Sequence, residues 1–387
     1  MTRGPMNKAL AGFTSTIFAE MSALAATTGA VNLGQGFPDF GGPESMLQRA
    51  QQAIAEGVNQ YPPGPGTFEL RSAIAAHQRR FYGIEVDSDS EVLVTAGATE
   101  GIAAAMLGLL EPGDEVVVLE PYYDSYAATI ALAGATRRPV RLEPPDFSLP
   151  LAALAAAITP RTRLILLNSP HNPTGAVFGH DELTRLAALA VEHDLMVVTD
   201  EVYEHLTFDD TAHVPISTLP GMAERTLTIS SAGKTFSVTG WKIGWVSGPA
   251  ELVAAVRAAK QFLTYVNGAP FQPAIAGALA LPDSYFADVR ASLQAKRDRL
   301  LDGLSSAGFT VFQPSGTYFI VADVRSLGYA DGYQLCLALP ALCGVVAVPM
   351  SVFYDEPASG AHLVRFAFCK RDEVLDEAVS RLSRLTT

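Results

Sequence analysis

The sequence predicts an α/β protein: a mostly parallel sheet covered by helices on both faces, followed by a smaller α+β domain. Three observations predict it. From about residue 90, short β-branched runs alternate with stretches of helical periodicity. Those runs are apolar throughout, not at every second residue, which marks strands buried on both faces. Beyond about residue 282 the order changes to one long helix and then several short strands. At 387 residues the chain exceeds one ordinary core, so two domains are expected.

Along the chain, residues 1–37 read as an irregular N-terminal arm belonging in part to the small domain, 38–281 as the large domain, and 282–387 as the small C-terminal domain. A Gly/Pro-rich turn at Gly34–Pro43 leads to a helix at Ser45–Ala55 and the segment Tyr61–Gly66. The expected large-domain strands are Val92–Thr95, Val116–Glu120, Leu164–Asn168, Met196–Thr199, Thr226–Ser230 and Ile243–Ser247. Between them lie helical stretches at Thr99–Leu110, Asp124–Ala133, Asp181–Glu192 and Glu251–Phe262. A Pro-Asp-Ser turn near Leu281–Asp283 marks the boundary. After it come a long helix at Tyr285–Ser306 and strands at Val311–Phe312, Tyr318–Asp323, Val345–Pro349 and Leu363–Phe368.

Composition excludes several classes of function. With 27 basic against 40 acidic residues, a net charge of -13 and a pI near 5.0, neither nucleic acid nor an anionic membrane surface is the expected partner. The mean hydropathy of +0.21 is high, yet no uncharged stretch of about 18 apolar residues is present to span a bilayer. Lys8 precedes the apolar Ala9–Phe13, but Thr14, Ser15, Thr16 and Glu20 interrupt a signal-peptide core. The apolar excess is therefore expected in a subunit interface. Cys336, Cys343 and Cys369 cannot all pair and fit no zinc or redox spacing, which points to the cytoplasm. No metal site is expected, because His171, His193 and His205 lack ligand-like spacing.

Parallel sheets bind ligands beyond the carboxyl ends of their strands, and there the polar residues concentrate. Ser169-Pro170-His171-Asn172-Pro173-Thr174-Gly175 follows one strand; its Pro and Gly content holds Asn172 in one direction, although taken alone it is an ordinary loop. Asp200-Glu201-Val202-Tyr203 ends the next, and a buried acid there needs a cation unless it caps a helix. Ser231-Ala232-Gly233-Lys234-Thr235 imitates a phosphate-binding loop, but the second glycine, due five residues before Gly233, is Thr228. A lysine just past a buried strand is desolvated and suited to imine formation. Lys242 follows eight residues later; taken alone it is a solvated loop lysine.

One ligand satisfies all of these positions: an anionic, aromatic, aldehyde-bearing cofactor. Lys234 would bond its aldehyde, and Asp200 would face a protonated ring nitrogen. Asn172 and Tyr203 would hydrogen-bond the ring oxygen. Ser231, Lys242 and the helix N-terminus at Ala98–Thr99 would receive the phosphate.

At these residues, and in Val31-Asn32-Leu33-Gly34-Gln35-Gly36-Phe37-Pro38-Asp39-Phe40, the chain resembles the class I aminotransferases that depend on pyridoxal 5'-phosphate. The likeness runs from about Phe18 to Leu382 and is strongest to the kynurenine and glutamine transaminase subgroup. Among bacterial members, Gln60–Gly66 and Gly268–Pro273 resemble the N-succinyldiaminopimelate aminotransferases. The resemblance implies fold type I, with a mostly parallel seven-stranded sheet in the large domain. It implies that Lys234 holds the cofactor as an aldimine, with Asp200 on the pyridine nitrogen and Asn172 and Tyr203 on the phenolic oxygen. Tyr123 would stack on the ring, and Ser231, Lys242, Ala98 and Thr99 would bind phosphate. Tyr61 would reach the phosphate of the neighbouring subunit in a homodimer. Arg365, with Gly36 and Asn172 nearby, would clamp the substrate carboxylate, and Phe18 either borders that pocket or anchors the arm. Two departures stand out. Lysine occupies 242, where the wider family has arginine, and Gly268–Pro273 departs from the kynurenine-type pattern.

The implied reaction is ping-pong transfer of an amino group from an amino-acid donor to a 2-oxo acid such as 2-oxoglutarate, at one site. N-succinyl-diaminopimelate is the favoured donor, with methionine, glutamine and aromatic amino acids, kynurenine included, as alternatives. Two rivals remain: a β-lyase on the same fold, cleaving a carbon–sulfur bond, and a non-catalytic effector-binding module. The second needs a DNA-binding helix pair, for which the roughly 30 residues before Asn32 are too few. Trp241 and Trp245 are expected in core or interface, and Cys369 as a small buried hydrophobe.

Overall fold

The apolar runs do what their composition demands. In this computed structural model, which describes residues 6–13 and 17–386, they pair into one sheet. The polar interruption at residues 14–16 lies outside the described residues, as do 1–5 of the arm. The strands are β1 (Val92–Ala96), β2 (Glu115–Glu120), β3 (Thr136–Arg141), β4 (Thr162–Asn168), β5 (Met196–Asp200), β6 (Thr226–Ser231) and β7 (Ile243–Ser247). Their order is β1-β7-β6-β5-β4-β2-β3; β7 runs antiparallel to both neighbours and the other pairs are parallel.

Both faces are covered, as continuous hydrophobicity requires. Val117, Leu119, Ile165, Leu167 and Val197 point into one core, while Val116, Val118, Leu164, Leu166 and Val198 point into another. Residues alternate between faces along a strand, so an all-apolar run has to be buried twice. Each such side chain contributes about 1.5–3 kcal/mol by leaving water. The second core is closed by the helices Gly97–Leu109, Asp124–Leu132 and Ala250–Lys260. A third core joins β1 and β7 to the helices Glu44–Ala55, Phe68–Tyr82 and Gln272–Leu279, and holds the buried Trp245. Trp241 stacks on Phe271 at 4.6 Å.

Six strands fall within two residues of expectation. The seventh, β3, was not expected, because Thr-Arg-Arg-Pro-Val-Arg buries only Val140. It is an edge strand, where charge and a proline are tolerated and discourage further pairing.

The C-terminal part begins with the helix Asp283–Ser306 and adds a second sheet of β8 (Thr310–Phe312), β9 (Phe319–Asp323), β10 (Val348–Pro349) and β11 (Leu363–Ala367). Its order is β10-β11-β9-β8, antiparallel throughout. The run Val345–Pro349, expected as one strand, divides at Ala347. Val348–Pro349 joins β11, whereas Val345–Val346 pairs in parallel with Val31–Asn32. The expectation of an irregular arm also needs correction: Ile17–Thr28 is a helix. Its Ala, Met and Leu residues are good helix formers, and Met21 and Ala25 are buried against the C-terminal part. Further helices at Gly332–Leu342 and Asp372–Leu382 pack there as well. Among the described residues, no helix is long and apolar enough to cross a membrane.

Candidate active site

The parallel register places strand ends side by side. Asn168 at the end of β4 pairs with Asp200 at the end of β5, and Ser231 ends β6. Because β7 returns antiparallel, Ile243 lies opposite Ala96, so Lys242 meets the N-terminus of the helix Gly97–Leu109. These ends surround a cavity of about 260 Å³. Twelve of the thirteen residues singled out in the sequence line it: Phe18, Gly36, Ala98, Thr99, Tyr123, Asn172, Asp200, Tyr203, Ser231, Lys234, Lys242 and Arg365. The thirteenth, Tyr61, lies outside it, 82% exposed and edge-on to Tyr265.

Asp200 is buried, accepting from the Tyr126 hydroxyl at 2.8 Å and from the Val202 amide at 3.3 Å. Burial pushes its carboxyl up to about 6, against the opposing pull of these donors and of Lys234. Lys234 follows β6 in the short helix Ala232–Thr235, with Nζ 5.6 Å from the ring centroids of both Tyr203 and Tyr318. Burial lowers its amine to about 8, while Asp200 acts in the other direction. A neutral amine is thus accessible near physiological pH, which proton transfer requires.

Opposite lies an anion cradle. No side chain caps the helix Gly97–Leu109, so its first amides remain for a ligand. Lys242 Nζ is 3.5 Å from Thr99 Oγ1. Gly97 has φ +72°, and a Cβ there would lie 3.0 Å from Lys242 Nζ. Glycine keeps that wall bare where the backbone has to approach a ligand.

Arg365, on β11, is fully buried. It donates from Nη1 to Asn172 Oδ1 at 3.0 Å and from Nη2 to the Gly34 carbonyl at 3.4 Å. Its guanidinium carbon lies 3.9 Å from the Phe319 ring centroid, 5.1 Å from Phe353 and 5.3 Å from Phe18. Burial lowers its pKa to about 10, so it remains a cation at neutral pH. Its Nε is buried without a protein partner. A buried unpaired donor on a cation is expensive, and a carboxylate entering the cavity would satisfy it. Gly36 borders the same space; its carbonyl accepts from Tyr318 at 2.6 Å, and Lys370 Nζ holds the flanking Gln35 and Phe37 carbonyls at 3.1 and 2.9 Å.

Sequence reasoning named Phe18 but missed Tyr126, Asn168 and the other two rings beside Arg365, Phe319 and Phe353. Tyr126 sits just after Tyr123 at the start of the helix Asp124–Leu132, which is the one local signal for it. Asn168 orients the loop twice over, donating to the Asp200 carbonyl at 2.8 Å and accepting from the Asn172 amide at 2.7 Å. His205, set aside as a ligand on spacing, lies in a turn and meets His77 of the helix Phe68–Tyr82 with the two Nε2 atoms 2.8 Å apart, near the buried Glu204. That separation suits a shared N–H···N bond better than two nitrogens on one tetrahedral zinc, about 3.3 Å apart for bonds of ~2.0 Å. Cys369 is buried, and burial raises its thiol to about 11, which makes it inert.

A buried amine, a buried acid, an uncapped helix with a lysine, and a buried arginine around one cavity define the class. Residues 28–382 match the family model described as aminotransferase class I and II, and the chain belongs to that family of pyridoxal-phosphate-dependent enzymes of fold type I. The chain is 59% identical over 383 residues to the probable N-succinyldiaminopimelate aminotransferase DapC of Mycobacterium tuberculosis, covering 96% of each. The solved structure of N-succinyldiaminopimelate aminotransferase from that organism superposes with a TM-score of 0.96 at 59% identity, over 98% of this chain and 100% of the other. Methionine aminotransferase of Escherichia coli is 38% identical over 387 residues, the whole of both chains. Kynurenine–oxoglutarate transaminase 3 of mouse is 38% identical over 401 residues, covering 96% of this chain and 88% of that one.

Proposed function

We propose that this aminotransferase acts on N-succinyl-diaminopimelate as amino donor and 2-oxoglutarate as acceptor. The observation that carries the choice of donor is the 59% identity to the mycobacterial enzyme over nearly all of both chains, well above that to the methionine or kynurenine enzymes. The cavity residues fit the cofactor: an uncapped helix beside a bare Gly97 and Lys242 suits a phosphate, and a buried Asp200 suits a protonated ring nitrogen. Pyridoxal phosphate, when bound, supplies the electron sink that makes the substrate Cα–H acidic.

The chain's residues then have separate tasks. Lys242, Ser231 and the Ala98–Thr99 amides hold the phosphate. Asp200 keeps the proton on the ring nitrogen, and Tyr126 keeps Asp200 in place. Asn172 and Tyr203 would donate to the ring oxygen, and Tyr123 would lie against the ring. Lys234 Nζ accepts the Cα proton and delivers it again within the same cavity. Arg365 takes the α-carboxylate common to donor and acceptor, so both substrates use one site in turn.

The same reading extends to assembly and location. Tyr61 is exposed with Phe68, Phe262 and Tyr265, an apolar group that suits cover by a second copy. In that homodimer Tyr61 would reach the partner's phosphate site. Three buried free thiols suit a reducing cytoplasm. A donor screen against 2-oxoglutarate tests the substrate: N-succinyl-L,L-diaminopimelate is expected to give the highest kcat/KM. Methionine or kynurenine outranking it overturns the choice. Pyruvate and ammonia released from cystathionine faster than any transamination would instead favour a β-lyase.

A further inference from the structure

Arg365 is framed by rings, and one of them is fastened from outside the cavity. Phe319 stands on β9, whereas Phe353 belongs to a short turn, Met350–Phe353, that no sheet pairing holds. That turn is tied to the edge of the main sheet at several points. The Tyr122 amide donates to the Phe353 carbonyl at 3.0 Å. The Asp355 amide donates to Glu120 Oε2, at the end of β2, at 3.0 Å. The Asp355 carboxylate accepts from the Tyr122 hydroxyl, and from Arg137 Nε on β3 at 2.7 and 3.0 Å. Arg137 Nε is also 3.0 Å from the Tyr122 oxygen. Tyr122, Arg137 and Asp355 do not line the cavity, yet they enclose the turn on both sides of Tyr354.

We propose that Asp355, Tyr122 and Arg137 form a clasp that positions Arg365, by pressing Phe353 against the guanidinium, and so sets the affinity for the carboxylate of both substrates. The inference rests on reading Arg365 as the carboxylate clamp. Its physical basis is the geometry of the arginine itself. Two bonds, to Asn172 and Gly34, leave the plane of the guanidinium to be fixed by the faces of the rings beside it. A planar fork binds a carboxylate through two parallel bonds only when that plane is held. Release of Phe353 therefore weakens carboxylate binding without touching Lys234 or Asp200.

The test uses the holoenzyme with Asp355→Asn, and with Tyr122→Phe, which removes a single oxygen and reads the same clasp if the first variant folds poorly. KM for the amino donor and for the 2-oxo acid is expected to rise by one common factor, about five- to tenfold, since misplacement from a remote site has effects up to about a hundredfold. The dissociation constant of maleate, a dicarboxylate that does not react, should rise by the same factor, with kcat and the absorbance of the bound cofactor unchanged. The double variant should be no worse than Asp355→Asn alone. Unchanged maleate affinity overturns the proposal, as does a KM rise confined to one substrate or a loss of kcat and thermal stability alone. Arg365→Lys in the same maleate assay separates the two ideas: if maleate binding ignores Arg365, the clamp reading fails first.

Discussion

Asp200→Asn separates what the site does for the reaction from what it does to stability. The carboxyl rises from 3.8 to about 6 in the fold, chiefly through burial. At 1.36 kcal/mol per pKa unit, this is about 3 kcal/mol of differential stability. The folded chain holds the proton more tightly than the unfolded one does. Its contribution is therefore complete below pH 3.8 and is lost as pH rises through about 6. Asparagine has nearly the same shape and no proton to lose, and the Tyr126 hydroxyl can donate to its oxygen or accept from its nitrogen. Urea unfolding of the cofactor-free protein at pH 4.5 and 7.5 should show the wild type losing about 2 kcal/mol more than Asp200→Asn over that interval. In the loaded enzyme the sign of the benefit reverses. Without a carboxylate on the ring nitrogen, transamination should fall by about a thousandfold or more, the scale of a lost preorganised partner. Parallel pH–stability curves for the two proteins refute the burial argument. Activity within tenfold of wild type refutes the role of Asp200.

Gly97→Ala sets a Cβ 3.0 Å from Lys242 Nζ at a backbone φ of +72°, so cofactor affinity, measured by fluorescence titration, should fall about tenfold or more. Gly36→Ala would bring a Cβ within 2.6 Å of Phe319 Cζ, displacing the ring under Arg365; KM for both substrates should rise in steady-state assays with the cofactor spectrum intact. Asp209→Ala removes the forked partner of the buried Arg297, which also bonds Asp298 and the Pro314 carbonyl, and should lower unfolding free energy by about 2 kcal/mol in a denaturant titration. Mixing inactive Lys234→Ala and Tyr61→Ala chains should restore about a quarter of wild-type activity, because half of random dimers carry one intact site if Tyr61 acts across the interface.

The sequence revealed most where chain neighbours decide the outcome. Asn172, Asp200 and Ser231 stand out because each ends an apolar run or follows it closely, and a polar residue beside a buried strand end has few ordinary uses. The strand β3 was invisible for the opposite reason: an edge needs no apolar pattern. Contacts between distant segments were harder still. Arg365 and Asn172 are 193 residues apart, and only a family likeness linked them. Phe353 and Asp355 gave no local sign at all, since their bonds run to Glu120, Tyr122 and Arg137 across more than 200 residues. The helix Ile17–Thr28 was within reach of propensity, but an arm without a clear apolar stripe does not announce a partner.

The pairing of Val31–Asn32 with Val345–Val346 also bears on how the chain comes off the ribosome. The Leu33 amide waits for the Val346 carbonyl, and the Leu33 carbonyl for the Ala367 amide. At about 5–20 residues per second, roughly 300 residues of synthesis separate these partners, an interval on the order of 15–60 s. During it Met21 and Ala25 of the helix Ile17–Thr28 are without their lasting cover. A nascent chain stalled before β11 would hold Lys234 and Asp200 but neither Arg365 nor a seated arm. If Arg365 is the carboxylate clamp proposed above, such a fragment would lack the group that holds an amino acid's carboxylate even if it held the cofactor. On that reading, catalysis is withheld until β11 has been made.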